Sequence, residues 1–220
     1  MVMVLFNRLK DNNMKLVIDL EGDSLSRFYN RQVFPNGNHF DPDTRIWCCS
    51  IQGANNNIVT YCCKLPSTTR TLPRPYHYKD KNTGEYIECW NTTSRHLEST
   101  IIPNKLNGYN ITAIEDYKEF LNTINKALEI AKESRAIVYF KGYGTKHDYD
   151  YELLKVNFNK YNIPTNNLSV LRNAYNDFTI PWTPTSSQVQ SGQSIPNQEY
   201  LEKGIIHNIE DVQELWEIVK

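Results

Sequence analysis

The sequence predicts an α/β domain in which a mixed β-sheet, a three-strand meander continued by parallel strands, is flanked by helices. Three observations predict it. An apolar run, Leu16-Val17-Ile18, is followed by two runs rich in aromatic and β-branched residues, 45–53 and 57–64, which meet at the triplet Asn55-Asn56-Asn57. The second half alternates amphipathic helical periodicity with short apolar strands. At 220 residues, 40% hydrophobic and 22% charged, the chain has the balance of one globular domain long enough to bury a core.

Residues 1–13 are mixed in character and are expected to be an extension outside a single domain at 14–220. The first strand ends in carboxylates at Asp19, Glu21 and Asp23, and a polar stretch with an Asn36-Gly37 turn leads to the hairpin. Residues 65–111 carry Pro66, Pro73, Pro75 and Pro103, so a long loop insertion is expected there. Thr112-Ala113-Ile114-Glu115 has the form of a capping box. Ile114, Tyr117, Leu121, Ile124, Leu128 and Ala131 then follow at helical spacing, and predict a helix to about Glu133. Ala136–Phe140 reads as a buried strand, with Gly142 and Gly144 opening a turn. Tyr149–Phe158 reads as a second helix and Leu168–Leu171 as a short strand. Residues 177–197, rich in Pro and Ser, are expected to be a mobile loop, and Ile209–Val219 a final helix with Val212, Leu215, Trp216 and Val219 on one face.

The net charge of −1 excludes a global positive field, so a polyanion would have to be held by a local patch or through metal. No apolar run approaches membrane-spanning length and no signal peptide is visible, so a cytoplasmic location and no membrane partner are expected. The five cysteines (Cys48, Cys49, Cys62, Cys63, Cys89) are odd in number, and the adjacent pairs lack zinc-ligand spacing. They are expected to pack as small hydrophobes.

Asp19 and Glu21 are two residues apart on a strand, so both side chains leave the same face. Two carboxylates so placed repel each other unless a cation lies between them, and hard divalent ions such as Mg²⁺ and Mn²⁺ prefer oxygen ligands. The simpler reading is a strand end whose acids face water.

Three short motifs in order along the chain resemble those of the DEDD superfamily of 3′–5′ exonucleases, which have the ribonuclease H-like fold. The first is Asp19-Leu20-Glu21 at the end of the first strand. The second is an aromatic–Asp pair opening a helix, matched by Tyr149-Asp150 ahead of Leu153-Leu154. His147-Asp148 competes but would direct Glu152 into the core. The third is a His with an Asp in the first turn of the last helix, matched by His207 and Asp211. Two positions depart from the pattern. Lys146 stands where the family usually has Asn, and three residues separate His207 from Asp211 where the His-bearing branch usually has four.

The resemblance implies that Asp19, Glu21, Asp150 and Asp211 hold two Mg²⁺ or Mn²⁺ ions, with His207 as general base. The implied reaction hydrolyses single-stranded DNA or RNA from its 3′ end and releases nucleoside 5′-monophosphates. Arg27, Phe28 and Tyr29, soon after the first acids, are candidate substrate contacts because bases of single strands stack on aromatic rings. Two alternatives stand beside it: a nuclease of short or signalling oligonucleotides, and a degenerate exonuclease fold that binds nucleic acid or a protein. The abundance of Asn, Lys, Ile and Tyr suggests an AT-rich genome, such as that of a phage, which would place the protein in host cytoplasm.

Overall fold

The computed structural model describes residues 14–22, 45–54, 57–64, 69–71, 76–79, 86–89, 92–94, 101–142, 148–180 and 198–220. The expected extension at 1–13, the polar stretch after Asp23 and most of the loop at 177–197 lie outside these residues.

The chain begins with β1 (Lys15–Gly22), β2 (Ile46–Gln52) and β3 (Ile58–Cys63), the expected meander. Its registers are antiparallel throughout, with Asp19 opposite Ser50, Glu21 opposite Cys48, and Cys48 opposite Cys62. The next segment corrects an expectation. Within 65–111 lie β4 (Thr69–Thr71), β5 (Tyr76–Lys79), β6 (Tyr86–Cys89), β7 (Thr92–Ser94), β8 (Lys105–Leu106) and the start of β9 (Tyr109–Ile114). β4 pairs with β7 and β5 with β6, as two separate two-stranded ribbons. The prolines fall between these strands, so they punctuate the segment without preventing strand pairing. β8 and β9 meet at Asn107 (φ 48°) and Gly108 (φ 90°), the two left-handed positions of a tight hairpin turn, for which Asn-Gly is the strongest short-range signal.

β9 also overturns the capping box. Thr112 and Ala113 pair with Tyr61 and Cys62 of β3, so their backbone groups belong to a strand ladder. Helix α1 (Tyr117–Glu133) is capped instead by Asp116, whose carboxylate accepts from the Glu119 amide at 2.7 Å. α1 ends with Arg135 in the left-handed region (φ 56°) and the Ala136 amide donating to the Ala131 carbonyl at 2.8 Å, which turns the chain into β10 (Ile137–Phe140). Helix α2 (Tyr149–Lys160) follows as expected. The strand expected at Leu168–Leu171 is displaced: Asn166–Val170 forms a 3-10 turn, and β11 is Leu171–Asn173. Helix α3 runs over Gln198–Val219, eleven residues longer at its start than the predicted Ile209–Val219.

Among the described residues, the main sheet has seven strands in the order β11-β10-β1-β2-β3-β9-β8. β10 and β11 are parallel to β1, β9 is parallel to β3, and the remaining pairs are antiparallel. The result is a mixed sheet flanked by helices. Leu16, Ile18 and Leu20 enter the larger core with Phe120, Leu121, Ile124, Leu153 and Phe158. Val17, pointing the other way, packs with Tyr139, Val212, Leu215, Trp216 and Val219. No helix among the described residues is long and apolar enough to cross a membrane.

Candidate functional site

β1 is central to the sheet, and its odd-numbered residues share one face. Helix α3 lies along that face, antiparallel to the strand. Lys15 donates its ammonium to the Val219 carbonyl at 2.7 Å, Val17 packs with Val212 and Trp216, and Asp19 accepts from the Asn208 amide at 2.6 Å. From Val219 back to Asn208 the helix rises about 16 Å. From Lys15 to Asp19 the strand advances about 13 Å. The two lengths match closely enough for each strand residue on this face to meet the next turn of the helix. Beyond Asp19, Gly204 lies against the ring of Trp47, whose indole N–H donates to the Gly22 carbonyl at 3.2 Å. The end of β1, where the carboxylates stand, is thereby fixed from above and from the side.

Asn208 is wholly buried and occupies the apolar stripe Leu201, Ile205, Ile209 and Val212. Its amide oxygen accepts from the Cys48 thiol at 3.4 Å, and Cys62 donates to Cys48 at 3.3 Å. Burial first, and then the neighbouring Cys62 and the charge of Glu21, push the Cys48 thiol well up, so it keeps its proton and serves as a donor. Cys48, Cys49, Cys62 and Cys63 are buried free thiols, in keeping with their expected role as small packing residues.

Asp150 is 4% exposed in the first turn of α2. A buried polar chain seats that helix on the sheet: the Ile46 amide donates to the Tyr117 hydroxyl at 2.9 Å, and the hydroxyl donates to Asn157 at 2.8 Å. Asn157 in turn donates to the Leu153 carbonyl at 2.9 Å. Burial, and then the negative charges of Asp19 and Asp150, push the Cys49 thiol well up. The competing acid Asp148 is the N-cap residue of α2 and accepts from Asn173 of β11 at 2.9 Å. It ties the helix start to the sheet edge.

His207 and Asp211 require a correction. The sequence places His207 just ahead of the last helix, whereas it lies in the middle of α3. Three intervening residues make one helical turn, so the imidazole and the carboxylate share a flank, with Nε2 and Oδ2 3.5 Å apart. Burial pushes the Asp211 carboxyl up, His207 and Lys141 oppose the shift, and Glu214 adds to it. Lys141 follows β10 one residue beyond the pair Ile18–Phe140, and so borders the same end of β1.

Asp19 and Glu21 thus stand at the end of β1, Asp150 in the first turn of α2, and His207 and Asp211 one turn apart on α3. Such a carboxylate donor set suits a hard divalent cation in its chemistry. Among the described residues, no three His, Cys, Asp or Glu side chains stand close enough together to enclose a metal ion. Arg27, Phe28 and Tyr29 lie outside the described residues.

Sequence reasoning missed Asn208 and Lys141. Asn208 had a readable signal, because Leu201, Ile205, Asn208, Val212, Leu215 and Val219 follow at three-to-four spacing and an amide interrupts the stripe. Lys141 had none, since its place depends on the parallel pairing of β1 with β10.

No protein-family model matches the chain, and no curated protein matches it.

Proposed function

We propose that this protein is a metal-dependent 3′–5′ exonuclease of ribonuclease H-like architecture, acting on single-stranded nucleic acid and releasing nucleoside 5′-monophosphates. The observation that carries the reading is the sheet order β3-β2-β1-β10-β11, an antiparallel meander followed by two parallel strands, with acids at the carboxyl end of β1 and on the two helices that border it. Ligands of open α/β sheets characteristically bind at the carboxyl ends of the strands.

Asp19, Glu21, Asp150 and Asp211 are the residues that would hold Mg²⁺ or Mn²⁺. When bound, a pair of such ions supplies an activated water and stabilises the departing 3′-oxygen. His207 is the general base that takes the water's proton. Asp211, one turn along the same helix, orients the imidazole and offsets the positive charge it gains. Lys141 adds a cation beside Asp211, suited to the phosphate of an incoming strand. Arg27, Phe28 and Tyr29 remain the proposed contacts for the terminal nucleotide, and short oligonucleotides fit the same chemistry.

A binding-only use of the surface is favoured by one observation, the engagement of His207 with Asp211 on the same helix. Hydrolysis of a 5′-labelled single-stranded oligonucleotide, with Mn²⁺, with Mg²⁺ and with EDTA, decides between the two. The exonuclease reading expects a ladder that shortens from the 3′ end and disappears with EDTA. Intact oligonucleotide in all three conditions, with the protein folded, overturns it.

A further inference from the structure

We infer that Asn208 is a positioning residue for the Asp19 carboxylate, set in orientation by the Cys48 thiol. The inference rests on the reading of Asp19 as a metal-holding acid and goes beyond it, because no metal-ligand role falls to an amide locked inside the core.

A primary amide has two ends of similar shape and opposite polarity, and only one orientation serves a carboxylate. With its Nδ2 toward Asp19, the amide donates to Oδ2 at 2.6 Å. With its oxygen there, two acceptors would face each other. Cys48 settles the choice by donating to Oδ1 at 3.4 Å, since a thiol proton needs an acceptor and the oxygen end supplies one. Cys62 donates to the Cys48 sulfur at 3.3 Å, so a single directed chain of hydrogen bonds runs from β3 through β2 and α3 to β1. Asn208 is fully buried in a stripe that is otherwise apolar, where an amide without a specific partner is costly. A leucine would continue the stripe and extend the core, and would remove the Asn208 hydrogen bond from Asp19. In metal sites, partners that orient a ligand in this way typically change metal affinity by about 10–100-fold when removed.

The test is Mn²⁺ binding to the full-length protein without substrate, followed by calorimetry, together with thermal unfolding. Asn208→Leu is expected to weaken Mn²⁺ binding by about 10–100-fold. A merely structural role predicts a lower unfolding temperature with unchanged affinity, and that result overturns the inference. Should Asn208→Leu fail to fold, Cys48→Val compared with Cys48→Ser carries the same question. Valine removes the donor that orients the amide and is expected to weaken binding, whereas serine restores a donor and is expected to recover it. Equal affinities in the two variants overturn the inference. Wild-type protein that takes up no Mn²⁺ overturns the metal reading and the positioning role together. Wild-type uptake with unaltered affinity in Asn208→Leu removes the positioning role alone.

Discussion

Two aspartates beside the β1–β10–β11 half of the sheet have contrary environments. Asp177, just after β11, accepts from Arg172 at 2.5 Å and from the Tyr139 hydroxyl at 2.9 Å, and Arg172 holds its carboxyl below the ordinary value. Asp211, on α3, is pushed up by burial against the opposing pull of His207 and Lys141. One acid has a matched fixed cation and stabilises the fold. The other is held in a setting where folding works against its charge, which is how sites that bind cations or move protons are built. The contrast is between an acid that folding charges more readily and one that folding charges less readily.

The largest effect expected from this contrast is on hydrolysis. Asp19→Ala or Glu21→Ala should lower metal-dependent cleavage by about 10²–10³-fold or more, the scale on which removal of one charge-stabilising group acts. Arg172→Ala should leave the rate unchanged and lower the unfolding temperature. An oligonucleotide assay paired with thermal melts checks both arms, and loss of rate in Arg172→Ala would erase the distinction.

A smaller effect is expected where α3 meets β2. A Cβ at Gly204 would stand 2.9 and 3.0 Å from ring carbons of Trp47, which is 4% exposed and anchored through its indole N–H. Gly204→Ala should therefore cost about 1–3 kcal/mol by overpacking. Alanine's better helix propensity recovers only about 1 kcal/mol. Urea denaturation measures the balance, and a clearly more stable variant would mean that α3 does not sit tightly on this strand.

The smallest effect concerns pH. Asp211 binds its proton more tightly folded than unfolded, so its contribution is present below the unfolded value near 3.8 and is lost as pH rises through the raised folded value. Asp211→Asn should then raise the unfolding temperature at neutral pH by roughly 2–4 °C while removing activity. Asp177 has the opposite sign: its contribution is present above the unfolded value and is lost as pH falls through the lowered folded one. Asp177→Asn should destabilise the protein at pH 7 and match wild type in acid. Melts of the two variants across pH 3–8 that slope in the same direction would contradict the comparison.

Much of the fold was legible locally. β1, β2, β3, α1, β10 and α2 each carry their own periodicity, and their bounds fall within a few residues of those expected. Residues 65–111 are not legible in the same way, because their prolines and asparagines signal loops while the strands among them are set by pairing. Asn107-Gly108 marked a hairpin whose second strand, β9, joins the main sheet. Thr112–Glu115 shows the same conflict, since a capping box and a strand end can share a sequence, and pairing with Tyr61 and Cys62 decided between them. Placing the start of α3 at Ile209 hid the interrupted stripe, and with it Asn208.

The sequence by itself determined that Asp19 and Glu21 share one face of a strand, because side-chain alternation is a local property of any extended chain. It did not place His207 and Asp211 on one helical turn, because its periodicity starts the last helix at Ile209 and the helix begins at Gln198. Tertiary structure decided which acids meet. The approach of Asp150 to the thiol beside Asp19, the place of Lys141 next to Asp211, and the amide of Asn208 against Asp19 all depend on strand order and on the antiparallel course of α3 along β1. Those contacts join residues from 70 to 189 positions apart. No window of sequence contains both partners, so packing alone brings them together.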